Sequence, residues 1–282
     1  MDHSQANARI IQFAGNSIKF TIDSTSLLEI MDVHFAHCLG VGENILAEYQ
    51  VWAEKEALYS ITRNDEAFQS NIELDQVLFQ LMQDGLTQLN GAASTQLVFH
   101  AAALAQQEHG VMLCGKSGSG KSTLTAWLTA SGMKYMTDEV VSVPLESENI
   151  HGFCRSIVLK PGSSFIWERW LNNQASDGFL RFADNSTWIE PSLFNLDGTQ
   201  ATAVPHLIIF PRYEPDANFQ AERLTRAETL FHLLQHLVNA RNFSDYGMAA
   251  TSRLASQVTA YHITYSDIEM AGKWIHNTIQ QS

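Results

Sequence analysis

Between Val111 and Ala130 the chain reads VMLCGKSGSGKSTLTAWLTA, and no other segment constrains the fold as strongly. The pattern G-x-x-x-x-G-K-[ST] is met by Gly115, Gly120, Lys121 and Ser122. Such a loop holds an anion only where a strand delivers it, where glycines let backbone N–H groups converge, and where a helix N-terminus faces the anion. Val111 to Cys114 is a short apolar run behind the turn-like Glu108-His109-Gly110, which predicts a buried strand. After it, Leu124, Trp127 and Leu128 stand at helical spacing with Gly132 as a stop, which predicts a helix over 121–131. Gly115, Lys116, Ser117, Gly118, Ser119, Gly120, Lys121, Ser122 and Thr123 are therefore the expected nucleotide-binding residues. Lys121 is expected on the β- and γ-phosphates, and the Ser122 hydroxyl on Mg²⁺.

Around the loop, strand and helix patterns alternate. RIIQFAG and SIKFTID at 9–23 predict paired strands, 26–39 a helix, 45–64 further strands and 75–89 an amphipathic helix. The small polar run Asn90 to Ser94 is the expected boundary between a small α+β N-terminal region (1–95) and a catalytic region (96–282). In the second region TQLVFHAAALAQQ, MKYMTDEVVSV, RSIVLKPGSS, AVPHLIIFPRY and VTAYHITYSD each predict a strand. LFHLLQHLVNARNF and MAGKWIHNTI predict helices. The expected class is α/β with a mixed sheet behind the loop.

At 282 residues, 45% of them hydrophobic and 17% charged, the chain has ordinary globular composition. The formal net charge of -13, with 30 acidic against 17 basic residues, argues against a nucleic-acid or anionic-membrane partner. Three widely spaced cysteines, Cys38, Cys114 and Cys154, and the absence of a long apolar run lead to the expectation of a reduced, cytoplasmic chain.

Phosphoryl transfer also needs an acidic group near the metal and a way to handle the acceptor's proton. Asp138-Glu139, on the strand after the loop's helix, answers the first need. HAAALAQQEHGVMLCGKSGSGKS from His100, followed by GMKYMTDEVV from Gly132, resembles the HPr kinase/phosphorylase group and its relatives. RSIVLKPG at 155–162 and NARNF at 239–243 are similar to later segments of the HPr-kinase-related proteins. The resemblance covers roughly residues 96–282 and implies the compact kinase fold shared with phosphoenolpyruvate carboxykinases.

Carried over by position, the resemblance makes Asp138 the acceptor of the hydroxyl proton and puts Glu139 in the metal shell with Ser122. The sequence leaves the exchange of those two roles open. His100 is implied near the γ-phosphate, with Arg155, Lys160 and Arg241 as contacts to the phosphate or acceptor. The implied activity is an ATP- and Mg²⁺-dependent kinase acting on a hydroxyl, with a protein or small ribosomally made peptide as acceptor. Small-molecule kinase and ATPase switch are the alternatives. Thr123 stands where HPr kinase has glutamate, Glu139 where it has aspartate, and its E-V-R-G segment has no match, all of which speak against HPr as the acceptor. Residues 1–95 are left with acceptor recognition, homo-oligomer formation or covering of a sheet edge.

Elsewhere, His232 and His236 stand four apart, and Asp32, His34, His37 and Cys38 cluster within one segment. Both patterns read first as amphipathic helices rather than metal sites. Phe165, Trp167, Trp170, Phe179 and Trp188 read equally as core or as pocket lining.

Overall fold

The structure is a computed structural model that describes residues 7–55, 57–171, 178–182 and 184–281. These residues fall into two compact units, the first up to Ala93 with Phe182 and Asp184, the second from Ser94 onward.

In the first unit β1 (Ala8–Phe13) and β2 (Asn16–Asp23) form a hairpin, with Ala14 and Gly15 both at positive φ as a two-residue primed turn requires. Helix α1 (Thr25–His34), capped by the Ser24 hydroxyl, carries the chain over to β3 (Ile45–Lys55), which runs parallel to β2. β4 (Leu58–Arg63) and β5 (Glu66–Ile72) complete the sheet in the order β1-β2-β3-β4-β5. Helix α2 (Leu74–Gly91) buries Val77, Leu78, Leu81 and Leu89, residues at helical spacing, while Asp84 accepts hydrogen bonds from the Tyr49 hydroxyl (2.6 Å) and Arg63 (2.7 Å). The segment 26–39 is helical only to His34. Within it Asp32 pairs with Arg9, and a 3-10 turn follows at Ala36–Cys38, where Cys38 is buried.

The second unit is built on β6 (Gln96–His100), β7 (Ala102–Gln106), β8 (His109–Leu113), β9 (Lys134–Thr137), β10 (Val140–Pro144), β11 (Ile150–Gly152), β15 (Thr202–Tyr213), β16 (Gln220–Arg223) and β17 (Thr259–Tyr265). Their order is β6-β10-β11-β15-β8-β7-β9, with β17 beside β15 and β16 beside β17. β15 runs parallel to β8 and to β17; the other pairs are antiparallel. A smaller sheet joins β12 (Ile157–Leu159), β14 (Thr187–Ile189) and β13 (Phe179–Arg181). Period-two alternation divides the central strands between two cores. Leu104, Val111, Leu113, Leu207 and Ile209 face one, whereas Ala103, Ala105, Met112, Ile208 and Phe210 face the other.

Helix α3 (Lys121–Ala130) lies in the first of these cores. It is buried on nearly every side, and its two buried threonines are satisfied locally: Thr125 and Thr129 each donate to the carbonyl four residues back at 2.9 Å. Leu124 and Leu128 are fully buried, worth about 1.5–3 kcal/mol each. Helices α4 (Ser164–Trp170), α5 (Arg226–Leu234), α6 (Met248–Gln257) and α7 (Ile268–Gln281) complete the described helices. None is long and apolar enough to cross a membrane.

Three further expectations need correction. TQLVFHAAALAQQ is two strands broken at Ala101, and MKYMTDEVVSV is two strands broken at Asp138-Glu139. The pairs His100–Val140 and Ala103–Thr137 keep one antiparallel register across the gap, which the Ala101 N–H bridges by donating to the Glu139 carbonyl at 3.2 Å. Each chain has to change neighbour at that point, β7 turning to β8 and β10 to β11, so neither can stay one regular strand. The third correction concerns LFHLLQHLVNARNF, where helix α5 ends at Leu234. His236 instead accepts from the His100 N–H (2.9 Å) and Val238 donates to Val98 (2.8 Å), so the segment binds the open edge of β6. His232 and His236 thus share no helical face; both rings lie against Phe210, at centroid distances of 5.0 and 6.3 Å.

Candidate functional site

β8 ends at Leu113 and the chain enters the glycine-rich loop at once. Gly118 and Gly120 both have φ of +86°, the left-handed region, and a Cβ on Gly120 would lie 2.2 Å from the Tyr265 hydroxyl. Gly120 is also the N-cap of α3, which aims the helix's positive end and its unpaired N–H groups into the loop. Ser119 Oγ is buried and, among the described residues, has no hydrogen-bond partner.

Around the loop's mouth the two strand breaks bring together residues far apart in sequence. His100, at the end of β6, sits between two partners. Its Nε2 is 3.1 Å from Lys121 Nζ and its Nδ1 is 3.4 Å from Glu139 Oε1. Arg155 Nη2 is 2.9 Å from Glu139 Oε2 and 3.4 Å from Asp138 Oδ1, while its Nη1 donates to the Ser156 carbonyl at 2.8 Å. Asp138 also accepts from the Tyr135 hydroxyl (3.1 Å) and from the Val158 N–H (3.0 Å). The Thr137 hydroxyl accepts from the N–H groups of Glu139 and Val140, which shapes the turn that presents both carboxylates.

Exposure separates these groups. Asp138 is 2% and Arg155 4% exposed, Lys121 is 7% exposed, and the side chains of Glu139 and His100 are 26% and 42% exposed. The expected proton acceptor, Asp138, is therefore the closed member of the carboxylate pair and Glu139 the open one. Burial by itself would raise the Glu139 pKa, but the hydrogen bond from His100 and the charges of Arg155, His100 and Lys121 bring it down to about 2. Burial lowers the Lys121 pKa from its ordinary value, against the pull of Glu139 and Asp138. Arg155 is buried, yet Asp138 and Glu139 raise its pKa, so it stays charged. Burial also pushes the thiols of Cys114 and Cys154 up to about 12, which removes both as thiolate nucleophiles.

Of the remaining expected contacts, Lys160 donates from Nζ to Ser117 Oγ at 2.8 Å, so it sits on the loop itself. The segment that follows is tied to α3 by the Thr123–Ser163 hydroxyl pair at 2.6 Å. Arg241 is exposed on a 3-10 turn at Ala240–Asn242 and makes no contact with this network among the described residues. Tyr135, Thr137 and Val158 were not legible as site residues. Thr137, directly before two acids, carried a turn signal, whereas Tyr135 and the Val158 N–H carried none. Trp188 lies under Arg155 (5.8 Å from the guanidinium carbon to the ring centre) and Trp167 packs edge-on against Phe179 at 5.1 Å.

Magnesium takes oxygen ligands and binds through one or two carboxylates shared with substrate phosphates rather than in an all-protein cage. Among the described residues no group of three or more His, Cys, Asp or Glu is gathered that could hold a metal alone. The Ser122 hydroxyl at the first turn of α3 and the part-exposed Glu139 carboxylate fit a magnesium ion shared with phosphates. The orphaned Ser119 hydroxyl fits a phosphate oxygen.

No protein-family model and no curated protein matches this chain. Among solved structures, the HPr(Ser) kinase/phosphatase from Coxiella burnetii is similar at 15% identity and a TM-score of 0.34, over 65% of this chain and 91% of that one. So slight a likeness transfers no activity and no residue role.

Proposed function

We propose that this chain is an ATP- and Mg²⁺-dependent phosphotransferase that moves the γ-phosphoryl group to a hydroxyl, with a serine of a protein or small peptide as acceptor. The observation that carries this reading is the Lys121–His100–Glu139–Arg155 chain of contacts at the mouth of the phosphate loop. Phosphoryl transfer is catalysed by positioning and charge neutralisation, and this network supplies two fixed cations and a partly open base within one connected set. Ser122 and Glu139 would hold Mg²⁺, which when bound neutralises charge on the β- and γ-oxygens.

In the structure as it stands, Lys121 has His100 Nε2 as its partner. A triphosphate in the loop takes that ammonium for itself and releases the Nε2 lone pair toward the same space. Glu139, on Nδ1, holds the imidazole in the tautomer that keeps Nε2 an acceptor. His100 then receives the proton of the acceptor hydroxyl late in the transfer. Asp138 acts one step back: its carboxylate fixes Arg155, which fixes Glu139. Lys160 and the loop N–H groups hold the phosphates from the outer side.

Mass spectrometry after incubation with Mg²⁺, ATP and a pool of serine-containing peptides tests this. A peptide heavier by one phosphoryl group, absent with Lys121→Ala, supports the transferase. ADP without a phosphorylated product replaces it with an ATPase switch, and unconsumed ATP defeats both.

A further inference from the structure

β15 runs on past the end of β8. Ile209 pairs with Leu113, the last residue before the loop, yet β15 continues to Tyr213. The extra turn of strand lies along the loop, and the Tyr213 N–H donates to the Ser119 carbonyl at 3.1 Å. Tyr213 Cβ lies 3.3 Å from where a Cβ of Gly120 would stand, so its ring begins at the junction of loop and helix. The residue as a whole is 48% exposed. Its inner edge is fixed by Tyr265, which is 2% exposed and meets it edge-on at 5.8 Å and 71°. Arg212 and Glu214, the chain neighbours of Tyr213, pair with each other at 3.3 Å.

A half-open aromatic ring, braced from behind and hydrogen-bonded through its own backbone to a phosphate loop, is what a nucleobase needs when its phosphates occupy that loop. We infer that Tyr213 is the stacking platform for the base of the bound nucleoside triphosphate, an assignment that rests on the nucleotide-binding reading above. Every base has a π-face, so this contact adds affinity without choosing among bases.

The test separates the base from the phosphates. Affinity is measured by calorimetry with Mg²⁺ for ATP, GTP and inorganic tripolyphosphate, on the wild type, Tyr213→Ala and Tyr213→Trp. The expected result is that Tyr213→Ala weakens ATP and GTP each by about 10-fold, the loss of one base–aromatic stack, and leaves tripolyphosphate unchanged, while Tyr213→Trp retains both nucleotides. Unchanged tripolyphosphate binding also shows that the variant loop is folded. Equal weakening of all three ligands, or nucleotide affinities unaffected by Tyr213→Ala, overturns the stacking role while the phosphate loop stands. A wild-type protein that binds none of the three overturns the nucleotide reading and this assignment with it.

Discussion

The ammonium of Lys121 stands 3.1 Å from Nε2 of His100, although the two residues belong to different elements: one opens the helix after the glycine-rich loop, the other ends a strand before it. Because Lys121 is 7% exposed, the imidazole is part of what makes a buried cation tolerable there. His100→Gln keeps a polar group near Lys121 but removes the base. The expected outcome is a fall in kcat of about 10²–10⁴-fold with little change in the KM for ATP, read from initial-rate kinetics with the phosphorylated acceptor as product. A change confined to KM would make His100 a binding residue.

The acidic pair divides its labour by exposure. Glu139→Gln takes a charged partner from Arg155 and His100 and is expected to lower activity, raise the Mg²⁺ concentration needed for half-maximal rate and lower the melting temperature. Asp138→Asn puts an amide among the Val158 N–H, the Tyr135 hydroxyl and Arg155, where two donors now face one another. Its expected loss is about 1–3 kcal/mol of stability, measured by urea unfolding.

Arg155→Ala leaves two neighbouring carboxylates without their shared cation in a place water reaches poorly. Breaking a buried ion pair from one side costs about 3–5 kcal/mol, so the variant is expected to unfold at clearly lower denaturant than the wild type. Arg155→Lys is expected to recover only part of this, since one ammonium cannot reproduce the guanidinium's separate bonds to the carboxylates and to the Ser156 carbonyl.

Acid should weaken the fold in two windows. Burial, then the charges of Lys121, His100 and His232, lowers the His236 pKa from the ordinary 6.5 to about 4. Between those values the unfolded chain takes up a proton that the folded chain refuses, so stability falls as pH drops through the window. Glu139 repeats the effect lower down, between the ordinary 4.5 and about 2. Denaturant unfolding at successive pH values should show the upper slope flattened by His236→Gln and the lower one by Glu139→Gln.

Gly120→Ala adds a Cβ 2.2 Å from the Tyr265 hydroxyl at a φ of +86°. Strain of that kind costs about 1–3 kcal/mol, and the loop is expected to relieve it by moving, which calorimetry would read as lost nucleotide affinity in a protein that still melts cooperatively.

The strand–loop–helix unit from Val111 to Ala130 was legible because strand, glycines and helix start are consecutive, and each is fixed by propensities that act over a few residues. The β1–β2 pair, helices α2 and α3, and strands β15 and β17 were legible for the same reason, since unbroken periodicity runs through each. The strand breaks at Ala101 and Asp138-Glu139 were not, because both segments carry continuous strand patterns and the interruption comes from each chain changing neighbour. Nor was the end of α5 at Leu234, where the apolar pattern of LFHLLQHL continues but the open edge of β6 offers hydrogen bonds that outweigh another helical turn.

The amino-acid sequence by itself determined a strand, a glycine-rich loop and a helix start in consecutive order, with the acidic pair Asp138-Glu139 after them, while His100 and Arg155 were singled out by the family resemblance. Only the tertiary structure decided how those four are connected. Their roles depend on which carboxylate is covered, which is shared, and which imidazole nitrogen meets Lys121. Those are consequences of burial and of strand pairing between segments tens of residues apart, and no local pattern in the chain encodes distance across a sheet.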